Sequence, residues 1–547
     1  MVRSPRIAPL LGLLVAVACN EKPIEDSESG TDATAATAAT EATAATEATA
    51  ATEATGGEGT TAVDFEPIPA RGIYIERVQA NQAVGVDIAR DGAFLPGSER
   101  GSYLLSNRLM LFRGFWKIEE GWQPRNIKAI FTIYYSDGTT KVQEQTTMIE
   151  GESFEGDLAR TFYFGLEAED VRPNMRFDMT LWETDFGQED RPETQPPPRM
   201  PYEGTSLVGV EDSDQLLKVV IVPVNYNDGD KCNSSPDTSE ETMQLFWDYM
   251  YMQDPVDTLE ITLHDPITWN QKLNDFNELN SVLSDLRFEE GAGPEVFYYG
   301  LIDACSGGVN GAGGKAYGIP AIPPREDQAW QRVSSGLIPK NQQEWAAETF
   351  VHEVGHTLGR KHTNCGGAAG WDPTYPYPTG EVGEWGFGIL DFRLKHPTVN
   401  KDYMTYCHPT WVGTWAWTKI YPVIKELTAW AKAGAPAPGT DIYGGSLLVG
   451  SVYPDGHSTW HTVPGALTEE ELSASDEIEV RAGGEVIATQ RAAVMPEPDG
   501  DIVRVVIELP EGFEKATEFS HRIGGEERTI ALKDVKLGHH NRTIKAR

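Results

Sequence analysis

The chain has 547 residues, 83 acidic and 45 basic, for a formal net charge of −38. That balance excludes a nucleic-acid binder and a polybasic membrane surface. Hydrophobic residues make up 40% and include 14 Trp, enough for real cores, and the length asks for about three domains rather than one.

Taken in order, residues 1–19 read as an export signal. Arg3 and Arg6 precede a short apolar run, Ile7 to Ala18, too short for a permanent membrane span. The run ends Ala16-Val17-Ala18-Cys19, which resembles a bacterial lipobox, although leucine is more usual where Ala16 stands. The resemblance implies a lipid on Cys19 and, with Asn20 rather than Asp following, an outer-membrane or cell-surface lipoprotein. Residues 20–62 are Ala-Thr-Glu units with no apolar face, expected to be a disordered tether.

Residues 63–190 alternate short β-rich runs with turns such as Ser136-Asp137-Gly138 and predict a β-sandwich-like domain. It is either a substrate-positioning module or a spacer or pro-segment. Residues 191–206 are proline-rich and predict a stiff linker. Residues 207–435 alternate strands and helices. Lys218–Asn225, Leu259–Leu263 and Glu295–Ile302 read as strands, and Ser239–Met252, Trp269–Phe288 and Asn341–Leu358 as helices. Such alternation predicts an α/β (α+β) domain with a mixed, mostly parallel sheet. A last helix is expected over Thr418–Lys432, beginning or kinking near Pro422. After a second linker, residues 441–547 are β-rich again and predict another sandwich-like domain. His457 and His461 fall there in a turn-rich segment and read as surface residues. Asn225, Asn227, Asp228 and Asp230 form an oxygen-rich loop that offers a possible calcium site, though an ordinary loop explains it as well.

The chemistry is concentrated between Trp345 and Cys365. His352 and His356, four residues apart on a helix, present both imidazoles to one side. Glu353 lies beside the first of them, placed to act on a water rather than on the metal. Gly359 can end the helix and turn the chain back, bringing in His362 as a third nitrogen. Three neutral nitrogens with a fourth position open form a catalytic type of zinc site.

Downstream stands Asp402-Tyr403-Met404-Thr405-Tyr406-Cys407. The extended histidine motif followed by a methionine turn resembles the metzincin clan of zinc endopeptidases. It is most similar to secreted bacterial lipoprotein metzincins of the StcE mucinase type. The resemblance covers roughly residues 340–407. It implies Zn²⁺ on His352, His356 and His362, with Glu353 as general base, Met404 beneath the histidines, and Tyr406 in a catalytic or a packing role. It also implies a short antiparallel edge strand that pairs with the substrate, for which Lys315–Ile319 is the candidate. Extracellular protein or glycoprotein substrates and a monomeric chain are expected.

Five cysteines include the solitary Cys19. The other four allow three pairings. If Met404 lies under the histidines, Cys365 and Cys407 should be close, leaving Cys232 and Cys305 to pair; four free thiols are the alternative. Disulfides would place the chain in an oxidising compartment. The competing functional reading is a catalytically silent surface adhesin that keeps the zinc fold. A zinc hydrolase acting on a non-peptide bond is a third.

Overall fold

A computed structural model describes residues 66–535, apart from 213, 230, 306–308, 435–442, 498–501 and 524–525. The expected export signal, Cys19, the Ala-Thr-Glu tether and the linker before the last β-rich region lie outside the described residues. The described chain is mostly β, built as several separate sheets, with four α-helices: α1 (Glu240–Gln253), α2 (Phe276–Glu289), α3 (Gln343–Thr357) and α4 (Thr414–Ala433). Among the described residues no helix is long and apolar enough to cross a membrane.

The N-terminal β-rich region forms two antiparallel sheets. One runs Ala93–Phe94, Gly85–Arg90, Ile73–Asn81, Met110–Ile118, Phe162–Leu166. The other runs Ser206–Leu207, Arg176–Glu183, Arg125–Tyr134, Thr140–Ile149. Strand Arg125–Tyr134 shows why: Ile127, Ala129, Phe131 and Ile133 alternate with more exposed neighbours, and all four are buried. The proline-rich stretch expected as a linker does more than connect. Arg199–Met200 pairs with Met179 and Thr180, and Ser206–Leu207 with Arg176 and Phe177. Prolines are compatible with this because these short strands lie at the sheet margin.

The central sheet is organised on Leu216–Asn227. This strand pairs in parallel with Thr258–Leu263, Ile267–Trp269 and Val296–Ile302, and the last of these pairs in parallel with Val333–Leu337. Gly314–Ala316 runs antiparallel to Val333–Leu337 and ends the sheet. Ser239 caps α1, its hydroxyl accepting from the Thr242 amide at 3.3 Å. α3 buries Phe350, Val351 and Val354, with Phe350 against Phe246 of α1 and Tyr299 of the sheet. α4 carries Pro422 inside it.

The C-terminal region forms two four-stranded antiparallel sheets. Strand Ser458–Pro464, in the segment expected to be turn-rich, carries His461 into the interior at 6% exposure. His461 is therefore not a surface residue; its Nδ1 lies 3.2 Å from the Tyr317 hydroxyl. His457 remains exposed, its ring stacked on Tyr453.

Two of the three buried clusters cross the expected boundaries, and the third, with Trp460, Val480 and Phe519, lies within the C-terminal region. One buried cluster joins Phe131 and Phe177 of the N-terminal sheets to Phe350 and Met404. Another joins Val222, Val333 and Leu337 of the central sheet to Leu447, Val449 and Val506 of the C-terminal sheets. Polar ties reinforce the first: fully buried Arg108 donates to the carbonyls of Val256 and Tyr251, and the Trp411 indole donates to Ala83 O at 3.1 Å.

Candidate metal centre

α3 begins later than the sequence suggests. Asn341 takes φ +61°, and the cap position is Gln342, without a side-chain cap. A residue in the left-handed region lacks the extended backbone of an N-cap, so Asn341 does not begin the helix. The C-terminus behaves as expected. Gly359 has φ +89°; its amide donates to His356 O at 2.8 Å and the Arg360 amide donates to Gly355 O at 3.0 Å. These paired bonds form a Schellman ending, which turns the chain back sharply.

The return brings His362 to the two helical histidines. One ring nitrogen from each of His352, His356 and His362 lies within 4.8 Å of the others. The opposite nitrogens are all engaged. His352 Nδ1 lies 2.7 Å from Tyr403 O, His356 Nδ1 2.7 Å from Arg360 O, and His362 Nδ1 2.7 Å from Ala369 O. Carbonyls only accept, so each Nδ1 carries a proton, and a neutral ring then keeps its lone pair on Nε2. His356 and His362 bring their Nε2 atoms to 3.1 Å. Two lone pairs at that distance suit a cation between them. The donor set therefore fits a metal, and three imidazoles fit zinc among the common ones.

Met404 is fully buried against α3. A Cβ on Gly355 would stand 2.6 Å from its sulfur, so the close approach requires glycine at that position. The turn that carries Met404 is braced on several sides. Its amide donates to Asp402 Oδ1 at 2.9 Å, its carbonyl accepts from Thr363 N at 3.0 Å, and Asp402 pairs with Arg360 at 3.3 Å. The Tyr403 hydroxyl donates to Asp254 at 3.3 Å; burial pushes the Asp254 carboxyl up to about 7. Cys365–Cys407 joins this turn to the segment after His362, and Cys232–Cys305 joins the loops after Leu216–Asn227 and Val296–Ile302. Two such bonds belong to a protein of an oxidising, extracytoplasmic compartment.

Glu353, 3% exposed, and His352 face a cleft of about 610 Å³ bounded by Gly314 of the terminal strand. Tyr406 lines the same cleft, 44% exposed, its ring centroid 4.9 Å from that of His362. Burial and the Glu353 carboxylate hold the Tyr299 phenol well above its ordinary range. Glu348 and His408, 3.2 Å apart, stand at the rim. The oxygen-rich loop is not assembled in the same way. Asn225 Oδ1 accepts from Ser235, Asn227 Oδ1 accepts from the Gly229 amide, and Asp230 lies outside the described residues. The bracing residues Arg360, Asp402 and Asp254 carry no spacing signal, and neither do Tyr453, Pro454 and Ile502, which also border the cleft.

No family model matches the chain, and no curated protein matches it. Among solved structures it is similar to metalloproteinase-II from Bacteroides fragilis, with 13% identity over 48% of this chain and 75% of that one, at a TM-score of 0.20. A calcium-binding mutant of Bacteroides uniformis β-glucuronidase 2 shows 12% identity over 42% of this chain and 28% of that one, at a TM-score of 0.11. Scores this low do not establish a shared fold.

Proposed function

We propose that the chain is a metzincin-type zinc endopeptidase acting on extracellular proteins, glycoproteins among them. The observation that carries this reading is the three-histidine centre, each ring fixed through Nδ1, with Glu353 beside it in one open cleft. His352, His356 and His362 hold the ion. Zinc supplies Lewis-acid chemistry, making a water more acidic and polarising a substrate carbonyl. Glu353 takes the proton that the attacking water loses and passes it to the leaving amine. Tyr406, which lines the same cleft, donates to the carbonyl oxygen as it gains charge. The terminal strand Gly314–Ala316 offers main-chain groups to an extended peptide. Met404 fixes the floor of the centre.

In this reading residues 207–435 are the protease and the β-rich regions on either side support it as a monomer. Cys19 carries the lipid that anchors it to the membrane. Glu353→Gln is expected to keep zinc and lose nearly all turnover of a casein or glycoprotein panel. Full activity in that variant would refute the mechanism. Zinc without turnover in the wild type would favour the silent adhesin.

A further inference from the structure

The terminal strand is not open along its whole length. Gly313, Gly314 and Lys315 border the cleft, but Ala316 and Tyr317 are fully buried. The cover comes from the C-terminal sheets. Arg504 lies 4.3 Å over the Tyr317 ring and donates to the Tyr317 carbonyl. Glu497 accepts from Lys315 at 2.6 Å, from Arg504 at 2.7 Å and from Asn277 at 2.9 Å. Lys315 also faces Asp275 at 3.7 Å. All of these side chains are buried, so the C-terminal sheets are clamped onto the strand.

Beside the clamp, Tyr453, Pro454 and Ile502 of the C-terminal region enter the lining of the cleft that holds His352 and Glu353. We propose that these three residues close one end of the cleft and form a subsite for an apolar side chain of an extended peptide substrate. The inference rests on the endopeptidase reading. A peptide laid along the part of the strand that lines the cleft, Gly313 to Lys315, meets this wall where Ala316 and Tyr317 pass beneath the C-terminal sheets. Side chains of an extended peptide alternate, so one of them faces the wall. The nearby charges are compensated among themselves, Lys315 and Arg504 against Glu497 and Asp275. Among the described residues, what Tyr453, Pro454 and Ile502 add to the lining is mainly apolar surface, which favours an apolar over a charged side chain.

The test uses the full chain loaded with zinc and a peptide series in which each position outward from the cleaved bond is Leu, Ala or Asp. In the wild type, one position on one side is expected to prefer Leu over Asp by about tenfold or more in kcat/KM, mostly through KM. Pro454→Asp, at an exposed turn, removes that preference and leaves preferences at other positions and the thermal midpoint in place. Ile502→Ala weakens it independently. Equal preference in the wild type and both variants would overturn the subsite alone. Absence of any cleavage by the zinc-loaded wild type would overturn the endopeptidase reading and the subsite with it.

Discussion

At the scale of single residues, the centre depends on small groups that admit larger ones. Gly355 leaves room for the Met404 sulfur, and a methyl there would collide at 2.6 Å. Gly355→Ala is therefore expected to destabilise the protein by about 1–3 kcal/mol and to weaken zinc affinity. Denaturant titration with and without chelator would show both effects, and an unchanged midpoint would contradict the packing. The three histidines, Glu353 and Gly359 were legible in the sequence because helical spacing and a turn glycine act over a few residues. The bracing of Met404 by Asp402 and Arg360, and of Tyr403 by Asp254, was not. Asp254 meets Tyr403 across 149 positions, and nothing local encodes such a meeting.

At the scale of elements, the terminal strand is where the C-terminal sheets grip the central one. Burial alone would raise the Glu497 carboxyl, but Arg504 and Lys315 beside it bring it down from 4.5 to about 2. A depressed carboxyl stabilises the fold fully above its unfolded value. That stability is lost as pH falls from about 4.5 towards about 2. Glu497→Gln is expected to lose the contribution at neutral pH, by about 3–5 kcal/mol for a broken buried pair, and to show a flatter acid slope. Parallel acid slopes in the two proteins would contradict the clamp. The strand expected at Lys315–Ile319 begins one residue earlier, at Gly314, and already ends at Ala316. Its neighbour Val333–Leu337, fully inside the sheet, was not anticipated: Val-Ser-Ser-Gly-Leu has little β propensity, and packing on both faces decides its conformation. In the same way His461 looked like a turn residue, since only the pairing of Ser458–Pro464 with Ser446–Val452 carries it inside.

At the scale of the whole molecule, the β-rich regions on either side share cores with the central sheet, although the C-terminal region also holds one of its own. Leu447, Val449 and Val506 complete the core that Val222, Val333 and Leu337 begin. A chain ending at Ala433 would expose that apolar face and leave Lys315 without Glu497. It is expected to be insoluble or to unfold without cooperativity, whereas the full chain melts as one unit; a soluble, cooperatively folding truncation would show the C-terminal sheets to be dispensable. Shared cores of this kind escape a linear reading because the partners are more than 100 residues apart.

The central claim is that His352, His356 and His362 together hold a catalytic zinc. Native mass spectrometry of the metal-loaded chain tests it most directly, comparing the wild type with His356→Ala and Glu353→Gln. The account predicts one zinc per chain in the wild type, removable by chelator, retained in Glu353→Gln and lost in His356→Ala. A wild type without stoichiometric zinc, or a His356→Ala variant that binds it equally well, would contradict the account.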